Sequence, residues 1–150
     1  MYLNKINLFL VISICLIFFF LTYYDVKSSE LKIIDGDTIH LNGEKIRFSG
    51  IDTPEIKQTC IKNKEVIKCG IQAKELLVKM IGNKKINCVR EGKDQYKRTL
   101  AECFVNDLSL SSYLVKSGYA FAYRKYSKKF IVDEDFARSN NLGMWSMKFE

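Results

Sequence analysis

The sequence predicts an α+β domain in which a small, closed or partly closed barrel of short strands carries helices packed against it. Three observations point there: apolar and polar residues alternate in several short runs, tight turns separate those runs, and helical periodicity enters only later in the chain. A chain of 150 residues has room for one such core and not for two.

The elements follow in order. Leu31 and Ile33 begin the alternation, the turn-like Asp35-Gly36-Asp37 interrupts it, and Thr38-Ile39-His40-Leu41 resumes it. Asn42-Gly43 is a hairpin signal, so Glu44-Lys45-Ile46-Arg47-Phe48 is expected to return beside the previous strand. Ser49-Gly50-Ile51-Asp52-Thr53-Pro54-Glu55 ends this meander, because Pro54 has no N–H for a ladder and biases Thr53 toward extended geometry. Ile56 to Lys68 is charged and poorly periodic and reads as a loop.

After Gly70, Ala73, Leu76, Leu77, Met80 and Ile81 recur at spacings of three and four and predict a helix, stopped by Gly82-Asn83. Two strand-like runs, Lys85 to Val89 and Leu100 to Phe104, flank the polar segment Gly92 to Lys97. Asn106-Asp107 is expected to turn the chain into a second helix with Leu110, Tyr113, Leu114 and Val115 on its buried face. Tyr119 to Tyr123 reads as a short aromatic strand or extended segment. A third helix is expected from Val132 to Leu142, with Phe136 and Ala137 inward and Gly143 at its end. A five-stranded barrel of the oligonucleotide-binding type, with three packed helices, satisfies this inventory.

The barrel does not begin at the first residue. Ile6 to Tyr24 is a run of nineteen uncharged residues preceded by Lys5, long enough to span a bilayer. Its flanks suit either a cleaved secretory signal or an uncleaved anchor. No small-x-small cleavage site is evident, and Cys15 follows Ile14, which is too bulky for a lipoprotein-type signal. Both readings place the following domain outside the cytoplasm, so residues 1–28 divide from a folded domain at 29–150. From Val26 onward the chain holds 23 Lys and Arg against 16 Asp and Glu, so 23 − 16 = +7, which favours a polyanionic partner.

Four cysteines follow the apolar run and allow three pairings. A hairpin centred between Gln95 and Tyr96 sets Cys88 opposite Cys103, since 88 + 103 = 95 + 96, and leaves Cys60 to pair with Cys69. The rival reading is four free thiols in a reducing compartment.

Asp35 and Asp37 flank Gly36, and in an extended segment both carboxylates point the same way. Asp52 and Glu55 bracket a second acidic turn. Two such turns side by side supply the oxygen ligands that a hard divalent ion takes. Arg47 and Arg98 offer forked donors suited to phosphate oxygens, although surface arginines are common. Glu55 is a candidate to orient or deprotonate water. His40 is the only histidine, which disfavours histidine-based triads and His/Cys metal shells. Tyr119, Phe121, Tyr123 and Tyr126 interleave with Arg124, Lys125, Lys128 and Lys129, a pattern for stacking on bases or simply a core edged by solvated charge; Tyr123 or Tyr126 is the substrate-facing candidate.

Four ordered motifs carry a resemblance. They are Ile34-Asp35-Gly36-Asp37-Thr38, then Arg47-Phe48 with Asp52-Thr53-Pro54-Glu55, then Asp94-Gln95-Tyr96-Lys97-Arg98, and Leu142-Gly143-Met144-Trp145-Ser146. Together they resemble the staphylococcal nuclease-like (thermonuclease) family over about Leu31 to Ser146. The resemblance implies a five-stranded oligonucleotide-binding barrel with three helices and a calcium-dependent phosphodiesterase that acts on DNA and RNA. It further implies a preference for single strands and 3′-phosphate ends. By the same likeness Asp37 and Asp52 are calcium ligands through their side chains and Thr53 through its carbonyl, with Asp35 in support. Arg47 and Arg98 clamp phosphate, and Glu55 is the proposed base or water-orienting residue. Monomeric action, outside the cytoplasm or attached to a membrane through residues 6–24, completes the expectation. The sequence departs from the family at Lys97, where a glycine commonly precedes the second arginine; a positive φ there strains lysine. The cysteine-bearing stretch from Thr59 to Cys69 is a second departure.

Overall fold

The computed structural model describes residue 10, residues 12–16 and residues 30–149. The expected signal or anchor at 6–24 therefore lies mostly outside the described residues. No helix among the described residues is long and apolar enough to cross a membrane.

The architecture is α+β. Strands β1 (Leu31–Ile33), β2 (Thr38–Leu41) and β3 (Glu44–Phe48) form the antiparallel meander read from the alternation. Asn42 takes the left-handed conformation, φ 53°, that the Asn-Gly turn requires. The short β4 (Ile51–Asp52) follows, then β5 (Cys60–Lys62) and β6 (Glu65–Ile67), then helix α1 (Cys69–Ile81). Next come β7 (Asn87–Lys93), β8 (Thr99–Val105) and β9 (Leu108–Ser109), helix α2 (Leu110–Lys116), β10 (Phe121–Ala122) and helix α3 (Ile131–Ser139). A 3₁₀ turn at Gly143–Ser146 and β11 (Lys148–Phe149) end the described chain.

The main sheet runs β1-β2-β3-β8-β7, with β9 attached to β8. Its one parallel pairing, β3 with β8, sets Ile46 beside Thr99 and Arg47 beside Leu100. Among the described residues no ladder joins β7 back to β1, so the sheet is an open path rather than a hydrogen-bonded ring. Two smaller sheets, β10-β4 and β11-β5-β6, complete the arrangement. The core lies between the main sheet and the helices: Ile39, Ile46, Phe48 and Ala101 meet Leu77, Leu110 and Leu114.

Several expectations are corrected. The stretch Ile56 to Lys68 is not wholly loop, because β5 and β6 pair there around a left-handed turn at Asn63 and Lys64. Such three-residue strands carry too little alternation to be read from sequence. Asn106-Asp107 closes the β8–β9 hairpin before α2 begins, both residues having positive φ. The third helix stops at Ser139. Tyr113 and Phe136, expected inward, are 39% and 46% exposed. Helix α2 instead buries Leu110, Ser111, Leu114 and Val115, and the Lys116 ammonium lies over the Phe136 ring at 5.1 Å.

Both proposed cystine pairs form. Cys88 faces Cys103 in the β7–β8 ladder with Cα atoms 4.1 Å apart, and Cys60 joins Cys69 across 5.8 Å. The second bridge fastens the β5–β6 hairpin to the first turn of α1 and packs on Met144, Tyr119 and Phe121.

Candidate functional site

Asp37 is the centre of a buried polar cluster, and its position begins with a turn. The Ile34 N–H donates to the Thr38 carbonyl at 2.9 Å, and Asp35 Oδ1 accepts from the Asp37 N–H at 3.0 Å. Gly36 sits between them with no space for a side chain: a Cβ there would stand 2.9 Å from Thr53 Oγ1 and 3.0 Å from the Ala73 Cβ. The turn thus presses on both the Thr53 segment and α1, and Asp37 is driven inward until it is 2% exposed.

Both oxygens of the Asp37 carboxylate accept hydrogen bonds, and Oδ2 keeps one lone pair free. Its Oδ1 accepts from the Thr38 hydroxyl at 3.0 Å and from Arg47 Nη1 at 2.7 Å, and its Oδ2 accepts from the Thr53 N–H at 3.1 Å. Burial pushes its pKa from the ordinary 3.8 to about 6, against the opposing pull of Arg47. The nearby Asp35 charge adds to the rise.

Strand alternation places Arg47. Ile46 and Phe48 enter the core, so Arg47 projects from the other face of β3, and its ladder partner is Thr38, next to Asp37. A second bond runs from Arg47 Nη2 to Asp52 Oδ1 at 2.6 Å. Burial works against the guanidinium charge, but the two carboxylates outweigh it and raise the Arg47 pKa. Asp52 itself is exposed on β4, opposite Phe121 of β10.

Glu55 lies three residues on, at the surface. Its N–H donates to Gln58 Oε1 at 3.2 Å and its carbonyl accepts from the Gln58 N–H at 2.8 Å. The loop rests directly on the start of α1, where a Cβ on Gly70 would come within 1.9 Å of the Glu55 carbonyl oxygen. The Glu55 carboxylate has no hydrogen-bond or ion-pair partner among the described residues.

Arg98 is held separately, by its own loop. Asp94 Oδ1 accepts from the N–H groups of Tyr96 and Arg98, both at 2.9 Å, and Asp94 Oδ2 accepts from Arg98 Nε at 2.6 Å. Burial pushes the Asp94 carboxyl up, yet the Arg98 side chain and these two N–H groups prevail and lower its pKa. The guanidinium stands 5.5 Å from the centre of the Tyr96 ring. Lys97 has φ 62°, the positive value expected to strain it. The parallel register sets Leu100 beside Arg47, and Arg98 immediately precedes β8, two residues before Leu100.

Tyr123 and Tyr126 form an edge-to-face pair with centroids 4.7 Å apart, and Tyr126 is 70% exposed. The Tyr123 N–H donates to the Gly50 carbonyl at 2.9 Å, which fixes the pair beside the strand leading to Asp52.

The structure therefore joins Asp35, Asp37, Arg47, Asp52 and Thr53 directly, and makes no direct bond from them to the side chains of Glu55, Arg98, Tyr123 or Tyr126. Thr38 and Asp94 are the polar partners that sequence reading missed. Thr38 had its place beside Asp37 as a signal. Asp94, four residues before Arg98, had turn spacing that mimics ordinary loop chemistry.

The donor set of Asp37, Asp52 and the Thr53 carbonyl is oxygen only, which fits a hard cation. Arg47, shared between the two carboxylates, already shows that positive charge is favoured between them. Among the described residues no three His, Cys, Asp or Glu side chains gather into a ligand cluster. A calcium ion here would thus take two carboxylates, a backbone carbonyl and water.

Sequence comparison finds relatives named as nucleases. An uncharacterized endonuclease of Haemophilus influenzae is 30% identical over 123 residues, covering 77% of this chain and 64% of that protein. Endonuclease YncB of Bacillus subtilis is 33% identical over 128 residues, 77% of this chain and 59% of the relative. A probable staphylococcal-like nuclease of Oryza sativa subsp. japonica is 31% identical over 104 residues, 68% of this chain and 26% of its own length. This chain thus spans less than two thirds of each of these three relatives. Residues 45–147, from Lys45 within β3 to Met147 before β11 and so including Arg47, Asp52, Glu55 and Arg98, match the staphylococcal nuclease homologue family, and the chain belongs to that family.

Proposed function

We propose that this chain is a calcium-dependent nuclease that hydrolyses phosphodiester bonds of DNA and RNA, favours single strands and leaves 3′-phosphate ends. The observation that carries the proposal is Arg47 suspended between Asp37 and Asp52, a cationic donor and an oxygen-ligand pair in one cluster. The five-strand path with its parallel β3–β8 pairing supports a barrel of the oligonucleotide-binding type.

A guanidinium has five N–H donors. Arg47 commits two to carboxylates, which leaves three for phosphate oxygens, and Arg98 commits only Nε–H to Asp94, which leaves its outer fork. A calcium ion held by Asp37, Asp52 and the Thr53 carbonyl would supply charge neutralisation at the phosphate and Lewis-acid activation of water. Glu55, whose carboxylate has no competing partner, orients the attacking water and accepts its proton as the new P–O bond forms. The bond from phosphorus to the 5′ oxygen breaks, Arg98 offsets charge on the departing alkoxide, and solvent protonates it. Tyr123 and Tyr126 offer ring faces to the neighbouring bases.

Residues 29–150 form the nuclease domain in this reading, acting as a monomer. Residues 1–28 export it as a cleaved signal or hold it at a membrane. Two disulfides support a location outside the cytoplasm.

Release of acid-soluble nucleotides from single-stranded DNA tests the activity, with the protein, Glu55→Gln and Arg47→Ala compared with and without a chelator. Calcium-dependent release by the unaltered protein, lost in both variants, is expected. Equal calcium-independent background from all three rejects the enzyme reading.

A further inference from the structure

We propose that the β5–β6 hairpin, bound to α1 by Cys60–Cys69, is a cationic arm that holds the nucleic-acid backbone beyond the phosphate at the cluster. The inference rests on the nuclease reading and extends it to a second contact surface. Residues 57–68 contain Lys57, Lys62, Lys64 and Lys68 against Glu65, so 4 − 1 = +3, nearly half of the chain's formal charge of +7. All four lysines are exposed.

Pairing state separates this arm from the other basic stretch. In Arg124 to Lys129, Arg124 is bound to Glu134 and Asp135 and Lys129 to Glu102, so only Lys125 and Lys128 of its four cations lack an ion-pair partner among the described residues, against all four in the arm. None of the four arm lysines has an ion-pair partner among the described residues, although Lys62 stands opposite Glu65 in the ladder. Free ammonium groups attract phosphate and release its counterions, whereas neutralised ones do not.

The arm is also fixed in place. It begins within five residues of Glu55, its far end enters α1 at Cys69, and the next residue, Gly70, abuts the Glu55 carbonyl. β11 pairs along its β5 edge, and the Cys60–Cys69 bridge packs on Met144. A rigid, unpaired cationic hairpin beside the water-orienting loop is suited to a chain that continues past the scissile phosphate.

Binding of the full chain to fluorescein-labelled oligothymidylate, in EDTA so that cleavage is silent, tests the arm. Lys62→Gln/Lys64→Gln/Lys68→Gln is compared with Lys79→Gln/Lys84→Gln/Lys85→Gln, which removes equal charge about 18 Å away at the other end of α1. The arm variant is expected to raise Kd about tenfold at low salt and to lower the slope of log Kd on log salt by about 2, with less than about a twofold change in the control. Should the triple variant fail to fold, Lys64→Glu at the tip is expected to give about a threefold loss. Equal losses in both triple variants, or no oligonucleotide binding by the unaltered protein, overturn the proposal. So does loss confined to vesicles containing phosphatidylglycerol, which would make the arm a membrane contact. Because binding is read without turnover, absent hydrolysis with an arm-specific binding loss rejects the nuclease reading and leaves the arm standing.

Discussion

Arg47 projects from a paired strand and is clasped by carboxylates from two other segments, while Arg98 stands at a loop end and is clasped by Asp94 of the same loop. The first clasp crosses the fold: Asp37, Arg47 and Asp52 meet only when β2, β3 and β4 are assembled. The second closes over five residues. A long-range clasp makes the site and the stability of the domain depend on one another, and a local clasp lets the loop be retuned with little cost to the core.

The largest expected effect comes from removing each arginine. Arg47→Ala and Arg98→Ala are both expected to lower kcat/KM on single-stranded DNA by about 10³-fold. Their stabilities should diverge. Arg47→Ala leaves Asp37 buried without its cation and is expected to cost about 3 kcal/mol in urea unfolding, against about 1 kcal/mol or less for Arg98→Ala. Equal losses of stability would break the comparison.

Next in size is Asp94→Ala, which touches no substrate in the proposed mechanism. It frees the Arg98 side chain and two backbone N–H groups, and is expected to lower kcat about tenfold while KM changes less. A variant as active as the unaltered protein would show that the clasp does not position Arg98.

Lys97→Gly sharpens the same contrast from the side of strain. Relief of a left-handed lysine, offset in part by the greater freedom of glycine when unfolded, is expected to raise stability by about 0.5 kcal/mol and Tm by about 2 °C. A calorimetric Tm that falls would place the strain elsewhere.

The smallest effect is one of pH. The folded pKa of Asp94 is lowered, so its contribution is fully present above its ordinary value of 3.8 and is lost as pH falls through the folded value. Protection of the amides in residues 94–98, corrected for intrinsic exchange, is expected to fall below about pH 4. Asp94→Asn should abolish that acid step.

The cysteine pairing shows how far local information reaches. The symmetry that sets Cys88 against Cys103 holds in the structure, even though an irregularity between Arg90 and Gly92 shifts the ladder by one, to Gly92 opposite Leu100. The meander, the first helix and the polar motifs were legible for the same reason: period-two and period-3.6 patterns and turn residues act between near neighbours. Tyr113 and Phe136 were misplaced because helical periodicity names a face without naming what covers it.

By itself, then, the sequence determined the class of fold and the acidic and basic residues available for phosphate chemistry. Only the tertiary structure decided that Arg47 bridges Asp37 and Asp52, that Asp94 holds Arg98, and that residues 60–67 stand as a hairpin against β11. Local propensity is written in consecutive residues, whereas a bond between distant segments depends on how strands register and how closely a turn such as Gly36 lets them approach.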